Sequence, residues 1–437
     1  MPSYKKSIVL SSLLLLLSGC SNKFIDLKTE EIKTNYITVP SKKFDYEDQY
    51  IIYALEYESQ RLYKNAQTAY WKLFESTNKY EYFIKYLTLS FQLNDYISIK
   101  DKTAKYMIEG IKEEETILRL QTFSLMRLNE KKEALVVAKK LLSKFERDVN
   151  HELLGSVYLD LKEYEKSVNE FEKSFKLNNA SNTLLTLTNI KYYYLNKKSE
   201  SKQEIEDYLK ENGYIYNLSI QLLSFYEKDK EDEKLVKLLK NMYLSYKNGD
   251  DESLYLKTKN LLLRYLVKKD INDAVDFFEK NDEDDKTLLE LYRSAGQPKK
   301  AYALLTKLYN DTKDLDYLAQ IAIVEFEMAE NKNEVLNSVI SKFEKVLTTV
   351  DNSVYENYLA YILIDFDKDV KKGLLLVKKA LIKQPENLAY LDTLAWGEYK
   401  IKDCKNAYTN MKKVVDGAGL EDNEIKFHWE KIKECNK

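Results

Sequence analysis

Chemistry in this chain would have to come from few residues. The 437-residue sequence holds two histidines, His151 and His428, and three cysteines, Cys20, Cys404 and Cys435. Acid–base or nucleophilic catalysis needs such groups within reach of one another. The histidines lie far apart in sequence, and no cysteine–histidine arrangement surrounds Cys404 or Cys435. The zinc-binding H-E-x-x-H, the nucleophile-bearing G-x-S-x-G and the phosphate-cradling G-x-x-x-x-G-K-[ST] do not occur. Acidic runs at Glu113-Glu114-Glu115, Glu231-Asp232-Glu233 and Asp282-Glu283-Asp284-Asp285 supply carboxylates for Ca²⁺, but without the glycine and terminal glutamate of a calcium loop. They read as solvated turns or helix starts, where the macrodipole favours negative charge. The expectation is a protein that is not an enzyme and uses no cofactor or metal.

One cysteine carries a different chemistry. Tyr4-Lys5-Lys6 is a basic start, and Ile8 to Leu17 is an apolar run broken only by Ser11 and Ser12. As a helix this run reaches about 15 Å, half of the roughly 30 Å of a bilayer core, so it reads as a secretory signal. It closes on Leu17-Ser18-Gly19-Cys20, which resembles the bacterial lipobox. That resemblance implies cleavage between Gly19 and Cys20 and acylation of Cys20 with two or three chains, enough for stable anchoring where one is not. The other readings are an ordinary signal peptide, or an uncleaved anchor with a chance cysteine. By resemblance to lipoprotein sorting in enteric bacteria, Ser21 implies the outer membrane, facing the periplasm; a surface orientation stays open. Residues 1–19 are thus a signal peptide and 20–44 a lipidated tether, with Phe24, Ile25 and Leu27 available to pack on the first folded unit. No later segment has eighteen consecutive apolar residues, so the rest is expected to be soluble.

Lys and Arg number 69 against 71 Asp and Glu, a formal charge of −2 with both signs interleaved. This argues against nucleic-acid binding, which needs a basic face. Ten Gly and four Pro are few for a long β-rich fold, while abundant Lys, Glu and Leu suit helices. Small and aromatic residues recur at a fixed interval. Leu154-Gly155-x-x-Tyr158 is followed by Ser167 and Phe171, and Tyr53-Ala54-x-x-Tyr57 by Ala66 and Tyr70. Ala274-x-x-x-Phe278, Ala301-x-x-x-Leu305 and Leu394-Ala395 with Ala407 and Met411 continue the pattern. Gly373 and Ala407 are 34 residues apart, as are Ala380 and Val414. Such a period marks stacked helix pairs.

These motifs resemble tetratricopeptide units over residues 45–421. The resemblance implies an all-α solenoid of helix hairpins, a right-handed superhelix of roughly nine to eleven units, closed by a capping helix at 422–437. Stretches 80–112, 181–248 and 315–350 keep helical periodicity but lose the small-residue pattern, and read as degenerate units or other helical hairpins. A helical protein without regular stacking is the alternative. In the family, the first helix of each unit lines a groove for a protein ligand. That register places Tyr355, Tyr358, Asp392, Trp396, Tyr399 and Lys400 in the groove, with Glu290 and Arg293 added from an earlier unit. The alternative is that these side chains pack against neighbouring helices.

Cys404 and Cys435 lie on either side of Gly417-Ala418-Gly419, a turn that would bring two antiparallel helices together. In an exported protein a disulfide between them is expected, against the alternative of two free thiols. Closing this loop would stabilise by about 3.7 kcal/mol in the chain-entropy model. The function expected is a membrane-anchored scaffold that binds an unidentified protein component of an envelope assembly, such as secretion, pilus, motility or cell-wall machinery. A glycan- or solute-binding receptor lipoprotein is the alternative, or a non-catalytic activator of a cell-wall enzyme.

Overall fold

The computed structural model describes residues 36–281 and 283–435. The signal peptide 1–19, the Gly19–Cys20 cleavage and lipidation site, residues 20–35 of the tether and Asp282 lie outside them. Among the described residues every regular element is an α-helix, twenty-three in all. No helix among them is long and apolar enough to cross a membrane. The chain forms two compact units, parting between Leu262 and Leu263.

The first unit holds six hairpins. They are α1 (Glu47–Ser59) with α2 (Tyr63–Thr77), α3 (Tyr80–Gln92) with α4 (Tyr96–Tyr106), and α5 (Glu114–Arg127) with α6 (Lys131–Lys144). Next come α7 (Asp148–Asp160) with α8 (Tyr164–Asn178), α9 (Ser181–Tyr194) with α10 (Lys198–Asn212), and α11 (Tyr216–Asp229) with α12 (Asp232–Lys247). Helix α13 (Glu252–Lys269) runs through the division. The second unit continues with α14 (Ile271–Lys280), α15 (Asp285–Ser294) with α16 (Pro298–Thr312), and α17 (Leu315–Met328) with α18 (Lys332–Val346). It ends with α19 (Ser353–Asp365) and α20 (Val370–Lys383), α21 (Leu388–Lys400) and α22 (Cys404–Ala418), and a terminal helix α23 (Asn423–Cys435).

Within each unit the hairpins stack as a solenoid. The second helix of one packs on the first of the next, as α2 on α3, α6 on α7 and α20 on α21. First helices also meet first helices: α5 on α7, α9 on α11, α19 on α21, and α21 on α23. The small residues explain how closely each pair approaches. A Cβ on Gly155 would stand 2.9 Å from the Phe171 ring, and Ser167 Oγ donates to the Gly155 carbonyl at 2.7 Å. A Cβ on Gly373 would stand 2.6 Å from Ile364 Cγ1 and 3.0 Å from the Ala360 carbonyl. Ala54, Ala66, Ala395 and Ala407 are fully buried at the equivalent contacts.

The stretches that lose the small-residue pattern, 80–112, 181–248 and 315–350, form hairpins of the same build, and in the last of them Ala319 and Ala322 are fully buried. Turns supply the regularity in 80–112 and 181–248, as in much of the array, whereas the hairpin of 315–350 turns through Ala329 in extended backbone. A left-handed residue recurs at Arg61, Asn94, Asn129, Lys162, Asn196 and Lys230, then at Gly296, Asp367 and Lys402. At most of these the next N–H reaches the carbonyl five residues back: Asp95 to Ser90 at 2.8 Å, Glu130 to Leu125 at 2.9 Å, Gln297 to Tyr292 at 2.8 Å. This is the Schellman closure of a helix end. Asparagine tolerates the left-handed region better than other non-glycine residues, so the chain closes its hairpins with few glycines.

Residues 36–44 lie on the first unit. Ile37 N–H donates to the Gly110 carbonyl and Lys42 N–H to that of Thr77, both at 2.9 Å. Val39 and Phe44 join the apolar cluster of the first two hairpins. This part of the expected tether is packed chain, held by Ile37, Val39 and Phe44.

Candidate functional site

The structure divides the expected groove residues into two groups. Asp392, Trp396, Tyr399 and Lys400 sit on α21, the first two beneath α23. Trp396 is 5% exposed; its ring stacks on His428 at 4.1 Å and on Tyr399 at 4.8 Å, and its N–H donates to Asp365 Oδ1 at 3.0 Å. Asp392 Oδ1 accepts from His428 Nδ1 at 3.0 Å. Lys400 pairs with Asp367 at 2.8 Å. Tyr358 lies between Phe326 and Phe343. These side chains join one hairpin to the next, Trp396 buried and the others partly so. The reason is positional: α23 occupies the place of a further first helix, so the face of α21 that would meet a ligand meets it instead.

Arg293 and Tyr355 form the other group. They line a cleft of about 650 Å³ between α15, α17 and the start of α19. A hydrogen-bonded chain runs across its floor. The Arg293 guanidinium donates to Gln320 Oε1 at 2.6 Å, Gln320 Nε2 donates to Asp316 Oδ2 at 2.7 Å, and the Tyr355 hydroxyl donates to Asp316 Oδ1. Burial and then this carboxylate push the Tyr355 hydroxyl well above the usual tyrosine range, so it stays a donor. Ile323, Val324, Met328 and Ala301 make the apolar wall, and Arg293 stands exposed at the rim. Such a cleft offers contact area with a few fixed polar groups, the composition of a ligand site. Glu290 is exposed and outside the lining.

Asp316, Gln320 and Ile323 are not marked by the repeat motif, because residues 315–350 lose its small-residue pattern. A usable signal is nonetheless present: Asp316, Gln320, Ile323 and Glu327 follow i, i+4, i+7, i+11, one helical face.

The other chemistry-bearing residues are engaged in packing. His151, 3% exposed, has Nδ1 2.6 Å from Glu170 Oε2. Glu172, Glu200 and Glu204 converge closely enough to share an ion, but the Lys191 ammonium already sits among them at 2.7, 2.8 and 2.6 Å. The acidic runs fall at helix starts, one of the two settings expected: Glu114 and Glu115 open α5, Asp232 and Glu233 open α12, and Asp285 opens α15; not all of them are solvated. Asp284 caps α15 by accepting from Thr287 N–H. Glu114, however, is 2% exposed, accepts from Gly110 N–H at 2.7 Å and pairs with Lys144 at 2.6 Å. Glu231 pairs with Lys202. Buried carboxylates need such partners, whatever their neighbours in sequence.

Cys404 and Cys435 are joined by a disulfide, with Cα atoms 5.4 Å apart. It ties the last residue of α23 to the first of α22. Ile432 of α23 packs with Ala407, Met411 and Val414 of α22, and the Trp429 ring stacks on Tyr408 at 5.2 Å.

No protein-family model matches the chain, and no curated protein matches it either. Among solved structures, it is similar to the APC/C hetero-tetramer Cut9–Hcn1, with 12% identity over 89% of this chain and 96% of that one, at a TM-score of 0.29. It is similar also to a tetratricopeptide repeat protein from Parabacteroides merdae, with 12% identity over 73% of this chain and 100% of that one, at 0.29. The TPR domain of P58(IPK) shares 13% identity over 74% of this chain and 98% of that one, at 0.27. The fold assignment rests on the pairing of the helices themselves.

Proposed function

We propose that this chain is a lipid-anchored scaffold of a bacterial envelope, facing the periplasm from the outer membrane, which holds a protein partner in the cleft of its second unit. The observation that carries the binding reading is the cleft itself: an apolar wall, an exposed arginine at the rim, and a tyrosine and glutamine fixed beneath by one carboxylate. Fixed donors and little side-chain freedom to lose favour capture of a partner segment. The Leu17-Ser18-Gly19-Cys20 motif supports the anchor. The glycan-receptor alternative draws no support from the Trp396–Tyr399 pair, since the indole that would stack on a sugar is buried under α23.

Two experiments test the reading. Radiolabelled palmitate should enter the wild-type protein and not a Cys20→Ser variant; equal labelling would remove the anchor. Crosslinking in the intact envelope should give a protein adduct from a photoreactive residue at Gln320, reduced in Arg293→Ala.

A further inference from the structure

We propose that α23 is a disulfide-held lid, and that reduction of Cys404–Cys435 opens the face beneath it as a docking site for an amphipathic partner helix. The lid has a hinge at one end and a latch at the other. Gly419 sits at φ +79° with open space around it, and Leu420 to Asp422 are exposed. At the far end Cys435 is tied covalently to Cys404, both half-buried and reachable by a small reductant. Between hinge and latch, α23 buries only His428 and Ile432 fully; Phe427 is 49% exposed.

The covered face states what it accepts. His428 meets the Asp392 carboxylate and the Trp396 ring, Phe427 lies edge-on to Trp396 at 5.7 Å, and Ile432 enters the apolar floor of Ala407, Met411 and Val414. The occupant is therefore a helix with a cationic or imidazole residue between two aromatics and an aliphatic residue one turn on, its charge answered by Asp392. Opening is thiol–disulfide exchange with a dithiol reductant. One thiolate attacks a protein sulfur and the other cysteine leaves, taking a proton. The second reductant thiolate then closes on the first, freeing the remaining cysteine, so the reductant ends as a disulfide and the protein as two thiols.

The test follows hydrogen exchange in the full chain, oxidised, dithiol-reduced, and as Cys435→Ser, with a fluorescent peptide of residues 421–437 carrying C435S as the docking probe. The expected result is that protection of 423–435 falls at least about tenfold on reduction and in the variant while α19 to α22 keep theirs, and that the probe binds at least about tenfold more tightly than to the oxidised chain. Unchanged protection of α23, loss spreading equally to α21 and α22, or equal probe binding in both states would each overturn the lid.

Discussion

The ammonium of Lys191 lies 2.6 Å from the Glu204 carboxylate, with only 1% of the lysine side chain exposed. Burial pulls this lysine down, and its hydrogen bonds to Glu172, Glu200 and Glu204 outweigh that, leaving the group raised above its ordinary value. A group raised in the fold contributes stability that is whole below its unfolded value of about 10.4 and lost as pH rises through the folded one. The glutamates are 31–42% exposed, so water can take over from the lysine in part. Lys191→Met, which keeps the stem, should cost about 2 kcal/mol, below the range for a fully buried pair. Urea denaturation at pH 7 measures it.

Asp229 gives the opposite pH dependence. It accepts from Lys198 at 2.7 Å, Lys202 at 2.8 Å and Tyr192 at 2.9 Å. Burial pushes its carboxyl up, but these bonds hold it well below the usual range. Its contribution is present above the unfolded value of about 4 and lost as pH falls through the lower folded value. Asp229→Asn should lower the melting temperature at pH 7, and the gap to wild type should close below about pH 4. A gap independent of pH would show that charge is not what Asp229 supplies.

Gly373→Ala sets two effects against each other. Alanine gains about 1 kcal/mol of helix propensity over glycine, whereas the new methyl meets Ile364 and the Ala360 carbonyl at 2.6 and 3.0 Å. Overpacking against a backbone atom costs about 1–3 kcal/mol, so the variant should be less stable than wild type by denaturant midpoint.

The hairpin turns predict a substitution series. Asn129 holds φ 62°. Asn129→Gly should leave stability nearly unchanged, while Asn129→Val should cost about 1–2 kcal/mol through the left-handed backbone. Thermal unfolding of both variants checks this, and equal effects would contradict it.

The hairpin architecture is legible in the sequence because its cause is local. Ala54 with Ala66, Gly155 with Ser167, and Ala395 with Ala407 show at a fixed spacing what each close contact requires. The left-handed residue at these turns, most often lysine or asparagine, carries the same period, but it is harder to see, because these residues are common elsewhere in the chain and glycine is the usual marker of such a turn. The cleft is half legible. Arg293 and Tyr355 follow from register, but their link runs through Asp316 and Gln320, and that contact exists only once α17 lies between α15 and α19. Trp396 is misplaced by register for a related reason: register sets its direction, while burial depends on whether another helix comes after it.

The most direct test of the cleft compares photocrosslinking from Gln320 and from Leu308, on the second helix of the neighbouring hairpin, in intact cells. One discrete protein adduct is expected from Gln320, much weaker in Arg293→Ala, whose melting temperature should match wild type because the side chain is exposed, and little adduct from Leu308. An adduct from Leu308 alone, or one from Gln320 that Arg293→Ala leaves unchanged, would contradict it.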